Sequence, residues 1–276
     1  MRAIVILTPA ESKRLIAKGV VSLPIFQRAL KDGIIIIGAG TTNAYIFQEL
    51  MGQVHGKEIF PCGIVTPERL CLCKEAVPYL RKYGHAPVWI FVKGKLQEEI
   101  RLDDVLDKLS SNDIFVKGAN ALDPQGNAAV FVGARTAGTI GKFLGVLLAV
   151  GVNIIIPVGY EKCIPVPIHE ILPELGISKI DYSMGMPIGL VPLPGYVVTE
   201  KVAIEVLTGA QATPIGAGGI NGAEGSIILL IKGTEEQVNK AIRLIQGLKG
   251  ERDKTVPVPN CSDCITTTCP NYRHPS

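Results

Sequence analysis

The feature that most constrains the fold is a run of four isoleucines closed by a Gly-Ala-Gly turn, Ile34 to Gly40. Consecutive β-branched residues favour a strand, and an apolar residue at every position indicates burial on both faces of a sheet. Thr41-Thr42-Asn43 follows the turn and opens a segment, 43–51, whose apolar residues share one helical face. A strand, a tight turn and a helix in this order predict one unit of a parallel α/β sheet.

Short apolar runs alternate with helical segments farther along the chain. We predict strands over 88–92, 114–116 and 154–158, a helix over 102–109 and a buried helix over 139–150. The chain is 47% hydrophobic but only 5% aromatic, so Ile, Val, Leu and Ala supply most of its apolar content. The expected fold is therefore α/β, with a mostly parallel sheet and helices on both of its faces.

The sequence divides into three parts. Residues 1–198 are predicted to form the main α/β domain, starting with a strand at the amino terminus. Residues 199–251 read as a small α/β unit, in which Thr234 caps an amphipathic helix over 235–248. Residues 252–276 lose this periodicity and form a Cys-rich tail.

The turn after the isoleucine strand has the features of an anion site. Backbone N–H groups at a helix start are free to donate, and the helix dipole favours negative charge there. We therefore expect ligand contacts from Gly38, Gly40, Thr41, Thr42 and Asn43, while a purely structural turn remains the alternative. A dinucleotide-binding motif would need a third glycine at position 43 and an acidic residue at the end of the next strand. This sequence has neither feature, which disfavours a nicotinamide cofactor.

Other polar residues follow predicted strands or precede a helix. If the strands are neighbours, their ends meet in one crevice, because ligands of open α/β sheets bind where strands end. The residues expected to line this crevice are Lys117, Gly118, Asn120, Asp123, Gly138, Thr139 and Glu161. Asp123 precedes a proline and is also typical of a turn initiator. For Glu161, the alternative to a place in the crevice is a solvent-exposed position on a turn.

These motifs together resemble a known superfamily over about residues 30–160. The strand-Gly-x-Gly-Thr-Thr-helix, the Gly118-Ala119-Asn120 strand end and the Gly138-Thr139 turn are similar to ribose-5-phosphate isomerase A, glucosamine-6-phosphate deaminase, CoA transferases and lactate-utilisation domains. The resemblance implies that Gly38, Gly40, Thr41 and Thr42 hold a sugar phosphate or the acyl group of a CoA thioester. Lys117 and Asn120 stand where that isomerase has acids.

The expected function is binding of a small anionic ligand, such as a sugar phosphate, an acyl-CoA or a carboxylate. In an isomerase or an acyl or CoA transferase, Lys117 would neutralise charge and Asp123 or Glu161 would be the base. The alternatives are a non-catalytic ligand-sensing or assembly module, and a metal- or redox-linked accessory protein. A homo-oligomer is compatible with each of these functions.

Charge and thiol content bear on partners and compartment. The net charge is +3, from 28 basic and 25 acidic residues without a run of five or six like charges, so no nucleic-acid partner is expected. The apolar run near the amino terminus is too short for a signal peptide, and no stretch reaches the length of a membrane span. Seven cysteines without an export signal favour reduced thiols in the cytoplasm.

The tail carries a metal-ligand pattern. Cys261, Cys264, Cys269 and His274 follow one another as Cys-x2-Cys-x4-Cys-x4-His, a set that can close a tetrahedral zinc site. Thiols docked on the main domain without metal, or an iron–sulfur cluster completed by a distant cysteine, are the alternatives. The Cys-x-Cys pair at 71–73 is expected on a helix start, where its thiols would point apart.

Overall fold

The computed structural model describes residues 1–52, 61–98, 100–253, 256–258 and 260–271. The strands are β1 (Arg2–Leu7), β2 (Ile34–Gly38), β3 (Gly63–Val65), β4 (Leu70–Leu72), β5 (Val88–Val92), β6 (Lys95–Gln97), β7 (Ile114–Val116), β8 (Ala121–Leu122), β9 (Ala128–Val132), β10 (Asn153–Pro157), β11 (Gly189–Leu193), β12 (Tyr196–Val198), β13 (Gln211–Gly218) and β14 (Ser226–Lys232). The α-helices are α1 (Pro9–Val21), α2 (Pro24–Asp32), α3 (Thr41–Met51), α4 (Ala76–Tyr83), α5 (Gly138–Val150), α6 (Ile168–Ile171), α7 (Glu200–Thr208) and α8 (Glu235–Gln246). Short 3₁₀ turns cover Leu102–Asp104, Leu106–Lys108, Tyr160–Lys162, Leu172–Glu174 and Cys261–Asp263.

The central sheet has six strands in the order β12-β10-β7-β2-β5-β6. The first four are parallel to one another, whereas β5 pairs antiparallel with β2 and β6 pairs antiparallel with β5. The α/β class is confirmed, but the sheet is mixed and only its first four strands follow the expected parallel arrangement. The entry point of β5 accounts for this: the Ala39 N–H donates to Pro87 O at 3.2 Å, so the chain enters β5 beside the end of β2 and runs back.

Both faces of this sheet are covered, as expected from strands without polar positions. Ile36, Phe115 and Ile156 pack with α5 on one face, and the alternate residues Ile35 and Ile37 pack with α1, α2 and α3 on the other. The buried apolar side chains come from successive strand positions because neighbouring Cβ atoms point to opposite faces.

Two predicted helices differ from the structure. α5 was expected to be buried, but only one side of it is: Val146 and Leu148 are 39% and 49% exposed. The helix expected over 102–109 is two 3₁₀ turns, separated at Val105 by a φ of −112° that departs from helical geometry. None of the helices within the described ranges is long and apolar enough to cross a membrane.

A second, three-stranded sheet combines β1 with β13 and β14, which lie more than 200 residues later in the chain. β1 pairs antiparallel with β14, and β14 pairs with β13. α7 and α8 cover one face, where Leu7, Leu229 and Val238 are fully buried. Thr234 caps α8 through a reciprocal capping box with Gln237, as the sequence predicts. The small unit predicted for 199–251 thus takes its third strand from the amino terminus.

The segment that follows α8 crosses α1 and α3 and is held by buried charges. Arg14 is only 3% exposed, and its guanidinium donates to Glu49 and Glu251, each at 2.9 Å. Lys13 pairs with Asp253, whose carboxylate also accepts from the Tyr45 hydroxyl at 3.1 Å. These contacts explain why charged residues occupy buried positions of α1.

The tail docks on the hairpin formed by β3 and β4 and on α4. Arg81 Nη2 donates to Asp263 O at 2.9 Å, and Lys74 N donates to Pro257 O at 3.0 Å. Cys264 and Ile265 pack on the same apolar cluster as Leu72. The described part of the tail is therefore attached to the body of the protein through polar and apolar contacts.

Candidate functional site

Four loops meet at one edge of the central sheet. Because β2, β7, β10 and β12 are parallel, their carboxyl ends lie together, and ligands of such sheets bind there. The residues directly after these strands are 38–40, 117–118, 159–162 and 199–200. We call this region the carboxyl edge.

The turn after β2 leaves hydrogen-bonding groups without partners. Gly40 is the N-cap of α3 and has no side chain to satisfy the first N–H groups of the helix. Thr42 is 2% exposed, and its hydroxyl has no hydrogen-bond partner among the described residues. Asn43 is fully buried; its Nδ2 donates to Gly38 O at 2.7 Å, while its Oδ1 is unpartnered within the same ranges. Asn43 thus closes the turn and still offers one acceptor.

The turn after β7 places a lysine beside this helix start. A Cβ built on Gly38 would lie 3.5 Å from Lys117 Cδ, so the lysine stem runs along the turn. Burial lowers the pKa of Lys117, and the nearby Cys62 thiol opposes this shift. A Cβ on Gly118 would lie 3.7 Å from Asn43 Oδ1 and 3.8 Å from Pro157 O, so residue 118 lies between the start of α3 and the end of β10.

Two glutamates face each other after β10 and β12. Glu161 lies on the 3₁₀ turn after β10, and Glu200 is the first residue of α7 and is fully buried. A Cβ on Gly159 would overlap Glu161 Oε2 and lie 3.1 Å from Glu200 Oε1, so the two carboxylates approach the same point. The Tyr160 N–H donates to Glu200 at 3.1 and 3.2 Å. Both oxygens of Glu161 are buried and unpartnered in the described part of the chain.

The environment of Glu200 favours the protonated form of its carboxyl group. Burial raises the pKa of Glu200 to about 7, and repulsion from Glu161 adds to the shift. Burial also lowers the pKa of the neighbouring Lys162, which the charge of Glu161 opposes. Near neutral pH, Glu200 can therefore hold a proton in the folded protein, as a general acid does in acid–base catalysis.

This shift predicts a pH-dependent stability. Between the ordinary glutamate pKa of 4.5 and about 7, the folded chain keeps a proton on Glu200 that the unfolded chain has released. The free energy of unfolding should therefore fall as the pH rises through this interval and become level above it. Glu200→Gln removes this loss, so its stability relative to the wild type should increase by about 3 kcal/mol between pH 4.5 and pH 7.5.

Urea unfolding at the two pH values measures this difference. Glu205→Gln is the matched control, because Glu205 is on the same helix but exposed. An equal stability difference for Glu200→Gln at both pH values would show that Glu200 does not keep its proton in the folded state.

Two residues expected in the crevice instead organise a neighbouring hairpin. Asp123 accepts hydrogen bonds from the backbone of Gln125, Asn127 and Ile168 and from the Asn127 side chain. Burial alone would raise the pKa of Asp123, but these hydrogen bonds hold it below its usual value. Asn120 Oδ1 accepts from Phe131 N at 3.1 Å, between β8 and β9. This geometry favours the turn-forming alternative for Asp123, so of the two carboxylates expected from the sequence only Glu161 lies at the carboxyl edge.

The third Gly-rich turn opens a helix on the other face. Gly138 and Thr139 begin α5, which packs with Ile36 and Ile156, whereas α3 packs with Ile35. The structure thus brings Gly38, Gly40, Thr41, Thr42, Asn43, Lys117, Gly118 and Glu161 to the carboxyl edge, with Gly138 and Thr139 separated from α3 by the sheet. Glu200 was missed in the sequence, although it follows a strand in the same way as Glu161.

The metal prediction for the tail stays a prediction. Cys261, Cys264 and Cys269 carry free thiols, and His274 lies outside the described residues. Within those residues no three His, Cys, Asp or Glu side chains are grouped closely enough to hold a metal ion. The placement of Cys71 on a helix start was wrong: it lies on β4, paired with Ile64 of β3.

No protein-family model, no curated protein and no solved structure matches this chain. The resemblance to the sugar-phosphate isomerase and CoA transferase superfamily therefore stays a prediction. Function has to be inferred from the groups that meet at the carboxyl edge.

Proposed function

We propose that this protein binds a small anionic ligand at the carboxyl edge and transfers a proton on it through Glu161 and Glu200. One observation carries the proposal. In the described ranges five buried side-chain N or O atoms have no hydrogen-bond partner, and four of them belong to Thr42, Asn43 and Glu161. Buried polar groups are otherwise almost always paired, so their concentration at one edge indicates that a ligand completes them.

The end of the site at β2 and β7 suits an anion. The first N–H groups of α3 are uncapped, the helix dipole is positive there, and the Thr42 hydroxyl can donate. Lys117 adds an amine beside the same turn. A phosphate or carboxylate is therefore favoured at this end, while Asn43 Oδ1 accepts from a ligand hydroxyl.

The end of the site at β10 and β12 suits proton transfer. Glu161, whose carboxylate oxygens have no partner among the described residues, removes a proton from a carbon next to a carbonyl, and Glu200 gives its own proton to the product. Transfer of the captured proton from Glu161 to Glu200 then restores both residues. Neighbouring strands are about 4.8 Å apart, so the ends of β2 and β10, two strands away, are within reach of one small molecule. Aldose–ketose isomerisation of a sugar phosphate fits this combination of an anion and a mobile proton.

The resemblance noted in the sequence supports the same substrate class. It implies a phosphate at Gly38, Gly40, Thr41 and Thr42, and these residues lie at the anion end of the site. The acids that the resembling isomerase has near Asn120 are absent, and Glu161 and Glu200 supply carboxylates from the next two strands instead.

The Gly40→Val variant tests binding directly. A Cβ at Gly40 would have its nearest neighbour, Asn43 Nδ2, at 3.7 Å, so the fold can accept a side chain that covers the helix start. We expect the affinity for inorganic phosphate, ribose 5-phosphate or coenzyme A, whichever the wild type binds, to fall at least about tenfold in calorimetry.

The control is Gly145→Val, at a position on α5 where an added Cβ meets no atom within 4 Å. It should bind as the wild type does. Equal affinity of Gly40→Val and the wild type would contradict the proposal, as would a wild type that binds none of the three probes. Tighter binding of ribose 5-phosphate than of coenzyme A would indicate a sugar phosphate as the ligand, and the reverse order would indicate a CoA ester.

A further inference from the structure

β1 is an edge strand with an exposed apolar side. It lies at one end of the order β1-β14-β13, so one long side of the strand faces away from the sheet. Ile4 and Ile6 are 67% and 51% exposed, whereas Ala3 and Val5 belong to the opposite face and pack with the residues of α7 and α8. An apolar edge strand of this kind is a template on which a further strand can pair.

The hydrogen bonds between β1 and β14 show which backbone groups of β1 point outward. Met1 N donates to Gly233 O at 2.7 Å and Gly233 N donates to Met1 O at 3.3 Å, so these two residues form a hydrogen-bonded pair. Such pairs alternate with non-hydrogen-bonded pairs along antiparallel strands. The N–H and C=O groups of Arg2, Ile4 and Ile6 therefore point away from β14.

The two edges of this sheet differ in how far they are protected. At the other edge, β13 carries Pro214 and a register shift between Pro214 and Gly216, and proline and bulges commonly prevent strand addition. The six residues of β1 contain no proline and pair with β14 in unbroken register. Within the described ranges, the partner along the free side of β1 is Lys249, whose Nζ donates to Ile6 O at 2.5 Å. That oxygen has a second lone pair, so the edge remains open to a strand.

We propose that β1 pairs antiparallel with β1 of a second copy of this chain, about a twofold axis that passes beside Ile4. In this register Ile4 lies opposite Ile4 of the partner subunit, and Arg2 lies opposite Ile6 of the partner subunit. Every residue with outward backbone groups then meets another such residue, which allows about six hydrogen bonds. A shift by one residue would place outward groups against inward ones. The two three-stranded sheets become one continuous sheet.

Charge favours the antiparallel arrangement. Arg2 lies opposite Lys232 of β14, so two cations stand at the same end of the sheet. Antiparallel pairing places the cationic ends of the two copies at opposite ends of the shared sheet. Parallel pairing would set Arg2 beside Arg2 of the partner subunit, and like charges directly opposite each other are destabilising.

The apolar side chains along this edge fit a second copy of the same strand. Ile4 lies opposite Leu230 and Ile6 opposite Ile228, so the outer face of the sheet is apolar next to β1. In the proposed pair, Ile4 contacts Ile4 of the partner subunit directly and Ile6 of the partner subunit diagonally, and such cross-strand pairs stabilise a sheet. Because the outward groups are symmetric about Ile4, β1 is complementary to itself, as a twofold interface requires.

The dimer is expected to be weak. β1 has six residues, and two strands of that length bury less than the about 800 Å² per partner of a standard interface. Sedimentation velocity of the full-length chain between about 1 and 500 µM should therefore show a reversible monomer–dimer equilibrium with a Kd in the micromolar range. The proposed ligand site does not include this edge, so Gly40→Val should dimerise as the wild type does.

Ile4→Lys tests the register. It places like charges directly opposite each other and should weaken the dimer at least about tenfold, while the exposed side chain leaves the urea midpoint of the monomer unchanged. The matched control is Ile220→Lys, because Ile220 is 76% exposed in the loop between β13 and β14. An equimolar mixture of the Ile4→Lys and Ile4→Glu variants should dimerise again, because opposite charges then face each other.

The pairing would be contradicted by a wild type that stays monomeric over this range, by an Ile4→Lys variant that dimerises as tightly as the wild type, or by a mixture of the two charged variants that stays monomeric. Growth beyond the dimer would also contradict it, since a twofold pair uses the free side of β1 in both copies. Recovery in the mixture separates loss of pairing from loss of folding, because both variants must be folded to pair.

Discussion

Glu161→Gln is expected to slow proton exchange between solvent and ligand by at least about a hundredfold, because an amide cannot accept the proton that the carboxylate removes. The exchange is followed by NMR as incorporation of deuterium from D₂O into ribose 5-phosphate. Loss of the neighbouring charge should also lower the pKa of Glu200, since repulsion from Glu161 contributes to its raised value. The pH dependence of stability should then shift to lower pH.

The control for this prediction is Glu170→Gln, at an exposed position on α6. It should exchange at the wild-type rate. If Glu161→Gln exchanged as fast as the wild type, Glu161 would not be the base. Binding of the probe without any exchange in the wild type would leave a non-catalytic ligand-binding protein in place of the proposed enzyme.

Arg14→Ala is expected to lower the free energy of unfolding by about 3 to 5 kcal/mol. The guanidinium is almost fully buried and pairs with Glu49 of α3 and with Glu251 after α8. Removing it leaves the Glu251 carboxylate without its partner in a poorly solvated place, whereas Glu49 keeps its ion pair with Lys18 at 3.0 Å. Breaking a buried pair costs more than forming it gains. Urea unfolding at pH 7 measures the change.

Arg28→Ala on α2 is the matched control, since Arg28 is exposed. It should change the stability by less than about 0.5 kcal/mol. A similarly small effect of Arg14→Ala would mean that the segment after α8 is not held through this arginine.

The central strands could be predicted from sequence because their cause is local. The run Ile34 to Ile37 is apolar at every position, and the structure buries it from both sides. The direction of β5 could not be predicted, because Val88–Val92 has the same apolar character in either direction. Its antiparallel pairing depends on where the preceding segment enters the sheet, which is a tertiary property.

The candidate site was predictable only in part, for a related reason. Glu161 and Lys117 follow obvious strands, so the rule that ligands bind at strand ends identified them. Glu200 follows the short edge strand Tyr196–Val198. It becomes a candidate only because its carboxylate and that of Glu161 approach each other next to Gly159, which the sequence does not show. Asp123 and Asn120 look similar in sequence, but their hydrogen bonds are used within a hairpin. Sequence reveals which polar residues end strands, and the fold decides which of them remain unpartnered.

The pairing of β1 with β14 has a consequence for how the chain is made. Arg2 lies opposite Lys232, so the first strand leaves the ribosome long before its partner exists. At about 5–20 residues per second, this interval is on the order of 10 to 50 s. During it the apolar residues of β1 have no sheet to join, and α7, which carries Glu200, has not been made. The nascent chain therefore passes through a stage in which Leu7 has neither Leu229 nor Val238 to pack against, and unpaired strands of this kind favour aggregation.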